Sequence, residues 1–85
     1  MKQFDYTIKD ELGIHARPAG LLVKLVKSFE SMVTITKGDK TASATKLIAL
    51  MSMGIKCGDK ISVAVEGADE DTASAEIEKF MKENL

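Results

Sequence analysis

At the start of the chain Phe4, Tyr6 and Ile8 alternate with Asp5, Thr7 and Lys9, a period of two that predicts a half-buried strand. Gly13 ends the alternation. From Ala16 the apolar positions Ala19, Leu22, Val23, Val26 and Phe29 recur at intervals of three and four, which is the stripe of an amphipathic helix lying on a core. Pro18 is compatible with that helix only in its first turn, where a missing N–H breaks no bond. Alternation returns between Met32 and Thr36 around Val33 and Ile35. Lys37-Gly38-Asp39-Lys40 then reads as a turn and Thr41 to Ala44 as a short returning strand, so the pair is a hairpin.

Leu47, Ile48, Leu50 and Met51 predict a second, short helix, capped by Thr45 or Ser43 and stopped at Gly54, a residue suited to the left-handed cap. Lys56-Cys57-Gly58-Asp59 makes a turn, and Ile61, Val63 and Val65 alternate with polar or small residues as a last strand closed by Gly67. Asp69, Glu70 and Asp71 place negative charge where the dipole of a final helix favours it, and Ala73, Ile77, Phe80 and Met81 form that helix's buried stripe. The predicted order is β-α-β-β-α-β-α. Strands with one apolar and one polar face need covering on one side only. The expected fold is therefore α+β, an open-faced β-sandwich whose four-stranded antiparallel sheet carries three helices on one face.

Length narrows the picture to one domain over residues 1–85, because so short a chain has no surface to spare for a second core. With 45% hydrophobic and 29% charged residues it belongs to the globular class rather than the disordered one. Its apolar runs, such as Leu21-Leu22-Val23, fall far short of the ~20 residues that cross a bilayer, and Met1 to Asp5 contains no secretory core. A cytoplasmic protein without membrane insertion is expected. The single cysteine, Cys57, has no disulfide partner in the chain and reads as an ordinary loop residue of a reducing compartment.

Charge is uneven along the chain. Residues 1–65 hold ten Lys/Arg against six Asp/Glu, whereas residues 66–85 hold two against seven. A basic surface beside an acidic last helix favours acidic protein partners. Nucleic acid is disfavoured, since no Trp and only four Tyr and Phe are available for base stacking.

The only histidine stands in Gly13-Ile14-His15-Ala16-Arg17-Pro18-Ala19, directly before the helix that Pro18 helps to start. The first N–H groups of a helix have no internal acceptor and carry partial positive charge, so an anion held on this imidazole meets ready donors. Arg17 adds a planar guanidinium that can hold phosphate oxygens in a bidentate pair. A neutral imidazole is nucleophilic near neutral pH, and its N-phosphoryl derivative stays reactive enough to be passed on. The helix terminus is expected to depress the pKa of His15 and keep it in that form. No metal-ligand spacing is present and no cofactor is expected.

Each of these features also has an ordinary reading. A lone histidine in a loop is more often a surface residue or a helix cap than a reactive group, and the basic row Arg17, Lys24 and Lys27 can be a solvated helix face. Leu47, Ile48 and Met51 stand at i, i+1 and i+4 of a helix that also holds Leu50 and Met53, and not all of them can face one core. Either one is an isolated surface hydrophobe, or the set is an adaptable docking patch for a partner protein.

Gly13 to Ala19 resembles the active-site segment of the HPr proteins, phosphocarriers of the bacterial phosphoenolpyruvate-dependent sugar phosphotransferase system. Lys46 to Ile55 is similar to that family's second-helix segment, and Glu66-Gly67-Ala68-Asp69-Glu70 to its turn into the last helix. The resemblance runs through essentially all 85 residues. It implies the same open-faced sandwich, phosphorylation of His15 by phosphorylated Enzyme I, onward transfer to Enzyme IIA domains, and stabilisation of the phosphohistidine by Arg17. It further implies a carrier rather than an enzyme, a monomer, and docking through Leu47, Ile48 and Met51 with Lys24 and Lys27 meeting acidic rims. At position 46 the family commonly has a serine used for regulation, and here Lys46 stands in its place. A lysine cannot be phosphorylated there, so escape from serine-based control is expected. The alternative is a regulatory paralogue that binds partners according to its phosphorylation state without feeding transport. A small α+β domain without phosphotransfer is the third reading, and three matching blocks weigh against it.

Overall fold

The computed structural model describes residues 1–14 and 16–85. In chain order it contains β1 (Lys2–Thr7), α1 (Ala16–Lys27), β2 (Ser31–Lys37), β3 (Lys40–Ser43), α2 (Leu47–Ser52), β4 (Lys60–Gly67) and α3 (Glu70–Asn84). The strands form one antiparallel sheet in the order β1-β4-β2-β3. This is the predicted order of elements and the predicted open sheet.

Alternation decides which face of the sheet is covered. Phe4 lies opposite Val63, Val63 opposite Ile35, and Ile35 opposite Ala42, so one row of apolar side chains crosses all four strands on a single face. Val33 pairs with Val65 and Tyr6 with Ile61 to extend that face. The helices complete the core with Ala19, Leu22 and Val26 of α1, Leu50 of α2, and Ala73, Ile77 and Met81 of α3, all buried. The other face carries Gln3, Asp5, Thr34, Thr36, Ser62 and Ala64, none of them buried. A small polar side chain there loses nothing by meeting water.

The β2–β3 hairpin closes as expected. Lys37 pairs with Lys40, leaving Gly38 and Asp39 as a two-residue loop, and Gly38 takes φ +61 at the first loop position, which only a residue without Cβ adopts readily.

Three local expectations need correction. The residue at the cap position of α2 is Lys46, extended at φ −112, and among the described residues no side chain caps that helix. Ser43 and Thr45 bond instead to one another, hydroxyl to hydroxyl at 2.9 Å, and the Thr45 N–H reaches Ser43 Oγ at 3.3 Å. They build the turn into α2 and so do not cap it. Phe29 lies beyond the end of α1, in a turn where its N–H meets the Val26 carbonyl at 3.1 Å, and it packs half-buried on the rim of the core. Phe80, expected in the buried stripe of α3, is likewise only partly covered. Gly54 does follow α2 in the left-handed region, at φ +65.

Candidate functional site

The segment that leads to His15 is held by a turn of its own and by the backbone of two neighbouring stretches. Asp10 folds it first: its Oδ1 accepts the Leu12 N–H at 2.8 Å and its carbonyl accepts the Gly13 N–H at 3.0 Å, an aspartate turn built from the side chain's own reach. The Leu85 carbonyl oxygen accepts the N–H groups of Lys9 and Asp10 at 2.6 and 2.8 Å, which fastens the segment to the end of α3. Gly13 is buried at φ +66, and a Cβ there would meet the Ile55 carbonyl oxygen and come within 2.7 Å of Lys56 Cα. Ile14 is 7% exposed and donates its N–H to the Ile55 carbonyl at 3.1 Å. His15 itself lies outside the described residues, and with it the expectation about its pKa.

Immediately after it, Ala16 opens α1. The first turn leaves the N–H groups of Ala16 and Arg17 without intrahelical acceptors, while Pro18 has none to leave. Arg17 is exposed and borders a shallow pocket with Asp10, Pro18, Leu21 and Asn84. Among the described residues it forms no ion pair. The arrangement places N–H groups without intrahelical acceptors and a guanidinium at one helix end, which suits a tetrahedral dianion.

Lys24 and Lys27 are exposed on the last turns of the same helix, where positive charge also complements the helix dipole. The structure separates the apolar residues of α2 into two sets. Leu50 is fully buried and Met53 4% exposed, so these two serve the core. Leu47, Ile48 and Met51 are 37%, 80% and 43% exposed and form an apolar surface on a helix that packs against α1. The chain leaving α2 carries Ile55, whose carbonyl holds Ile14, so this patch and the segment before His15 are fastened to one another through two residues of backbone.

Sequence reasoning missed the support beneath this segment. Lys37 Nζ donates to the Gly54 carbonyl at 2.9 Å and pairs with Asp59 Oδ2 at 2.7 Å, and the same oxygen accepts the Lys56 N–H at 2.8 Å. The hydrogen bond from Lys37, followed by that from the Lys56 N–H, holds the Asp59 carboxyl below its ordinary range. No spacing rule connects a hairpin lysine with an aspartate on another turn. The Asp10 turn, by contrast, carries a signal in the Asp-x-x-Gly spacing. Among the described residues no group of His, Cys, Asp and Glu is placed to hold a metal ion, and no helix is long and apolar enough to cross a membrane.

Comparison with known proteins agrees with this architecture. A family model described as the PTS HPr component phosphorylation site matches residues 2–83. The phosphocarrier protein HPr of Mycoplasma genitalium is 39% identical over 85 residues, which cover 99% of this chain and 97% of that one. A solved structure of the histidine-containing phosphocarrier protein of a mycoplasma superposes with a TM-score of 0.93 at 34% identity, covering 96% of this chain and 93% of the other. The catabolite repression protein Crh of Bacillus subtilis, solved as an intertwined dimer with a swapped domain, superposes at 0.79 with 28% identity, covering 100% and 98%. On a family match that spans nearly every residue, and a fold shared from first strand to last helix, the chain belongs to the HPr family of phosphocarrier proteins.

Proposed function

We propose that this protein accepts a phosphoryl group on His15 from phosphorylated Enzyme I and passes it to Enzyme IIA domains, acting in the cytoplasm as a single-domain monomer. The observation that carries the proposal is the family match over residues 2–83 in a chain whose only histidine follows the anchored Gly13-Ile14 pair and precedes α1. In the forward step a lone pair of the neutral imidazole attacks phosphorus. A nitrogen–phosphorus bond forms as the bond to the donor breaks, and the donor keeps that electron pair. The second step repeats this with the carrier as donor. Arg17 and the N–H groups of Ala16 and Arg17 then balance the charge on the phosphoryl oxygens between the two steps.

Docking is assigned to Leu47, Ile48 and Met51, with Lys24 and Lys27 meeting acidic rims on both partners. Apolar side chains supply affinity without choosing one partner geometry, and lysines steer encounter. Lys46, at the start of α2, leaves no hydroxyl at that position, which supports the reading that this chain escapes serine-based control there. The likeness to Crh supports a second reading, a regulatory relative that binds partners by phosphorylation state.

Transfer of labelled phosphate from phosphoenolpyruvate through purified Enzyme I tests the first reading. Label is expected in the parent, absent from His15→Ala, and lost in acid as a phosphohistidine requires. An unlabelled parent with several Enzymes I overturns the carrier reading in favour of the regulatory one.

A further inference from the structure

The loop from Gly54 to Asp59, between α2 and β4, is the platform on which the chain leading to His15 rests. It touches that chain at both ends. Ile14 donates to the Ile55 carbonyl at one end, while Ile8 at the other donates to the Asp59 carbonyl at 2.9 Å and accepts the Gly58 N–H at 2.8 Å. Gly13 is pressed against Ile55 and Lys56 between them. A shift of this loop therefore acts directly on Ile8, Gly13 and Ile14, the residues that touch it.

The loop contains Gly54 at φ +65 and Gly58 at φ +89, residues that leave a backbone free to rearrange unless something holds it. Lys37, the last residue of β2, supplies the hold. Its ammonium bonds the carbonyl of Gly54, the first residue of the loop, and the carboxylate of Asp59, the last. Asp59 turns the same oxygen on the Lys56 N–H, so one cation and one anion tie together both ends and the middle. The two side chains are 31% and 29% exposed, against 53% and 80% for Lys2 and Asp71 or 69% and 51% for Lys60 and Asp5, so this pair is the less screened by water. The ammonium also sits where cations are favoured, beyond the carbonyl end of α2.

We infer that Lys37 is a positioning residue for phosphoryl transfer at His15, acting through the Gly54–Asp59 loop and the Ile14 N–H. The inference rests on His15 as the phosphoryl acceptor. Lys37 is on the sheet, outside the residues assigned to docking or to the phosphate, so its effect belongs to the rate at saturating donor and not to donor affinity. Misplacement of a reacting group by about 1 Å is enough to slow transfer substantially.

The experiment compares the parent with Lys37→Met, Asp59→Asn and Lys37→Arg, and with Lys60→Met as a variant that removes the exposed lysine next to Asp59, which pairs with Asp5 and takes no part in the tie. Amide exchange at Ile14 reports the platform without any phosphate, and acceptance from phosphorylated Enzyme I over a range of concentrations reports the reaction. Lys37→Met and Asp59→Asn are expected to exchange about tenfold faster at Ile14 and to fall about three- to tenfold in saturating rate, as expected for partial loss of orientation. The half-saturating donor concentration should stay as in the parent. Lys37→Arg, which can make both bonds, restores rate and protection, and Lys60→Met behaves as the parent. If Lys37→Met and Asp59→Asn are folded and leave Ile14 exchange and the saturating rate unchanged, the role of Lys37 is overturned while the carrier reading stands. A change confined to the half-saturating concentration overturns it too, since Lys37 then acts on donor docking and not on the placement of the reacting group. A parent that takes no phosphate overturns the carrier reading and this role together.

Discussion

Asp69 stands at the cap position of α3, yet its side chain makes no bond to that helix's first N–H groups. Its Oδ2 accepts the Glu30 N–H at 2.9 Å and its other oxygen accepts the Ser31 hydroxyl. The cause is register: Ser31 pairs with Gly67, which brings the start of β2 beside the turn into α3 and offers two donors before the helix does. Chiefly the Ser31 hydroxyl, and then the Glu30 N–H, hold the Asp69 carboxyl below its ordinary range against the opposing cost of desolvation. A depressed carboxyl contributes stability that is present above its unfolded pKa, about 4, and is lost as pH falls through the lower folded value. Ser31→Ala should therefore raise the pH at which acid unfolding begins, and Asp69→Asn should flatten the dependence of the thermal midpoint on pH below about 5. Circular dichroism melts across that range check both. A pH profile unchanged in either variant would show that this contact is not linked to folding.

At the scale of elements, α1 and α2 obtain their stability differently. The 12 residues of α1 combine a buried stripe of Ala19, Leu22 and Val26 with lysines in the last turn, so pattern and dipole agree. Gly20 is its weak point, because a helix interior gains nothing from glycine's freedom, and a Cβ there would meet no heavy atom within 4 Å. Gly20→Ala is expected to raise unfolding free energy by about 0.5–1 kcal/mol in urea titration. A loss of stability would mean that the site is tighter than this geometry. With six residues and no side-chain cap, α2 is too short to hold itself together in water and persists because Leu50 is inserted into the core. Its boundaries were legible from Gly54 and the apolar run. Its cap was not, since Ser43, Thr45 and Lys46 are all sterically able to precede a helix and only the path out of β3 selects among them.

For the whole molecule, the contrast between two neighbours on α2 separates folding from function. Leu50 is sealed from water and Ile48 is 80% exposed, although the two are two residues apart and similar in chemistry. Leu50→Ala is expected to cost about 2–5 kcal/mol in denaturant titration, the cost of an emptied core site. Ile48→Ser should leave stability within about 0.5 kcal/mol and weaken binding to phosphorylated Enzyme I, measured by calorimetry. Equal affinity for parent and Ile48→Ser would remove Ile48 from the docking surface. The sequence by itself determined the alternating strands around Val33, Ile35, Val63 and Val65, the amphipathic stripe of α1, and the Gly38 turn, because period and turn chemistry are local properties of the chain. It also set His15, Arg17 and Pro18 close together, since they lie within four residues. Only the tertiary structure decided the strand order that lines up Phe4, Val63, Ile35 and Ala42, the division of the apolar α2 residues between core and surface, and the Lys37–Asp59 tie beneath Ile14. Those depend on which distant segments share a volume, and residues so far apart in the chain leave no periodic trace of their contact.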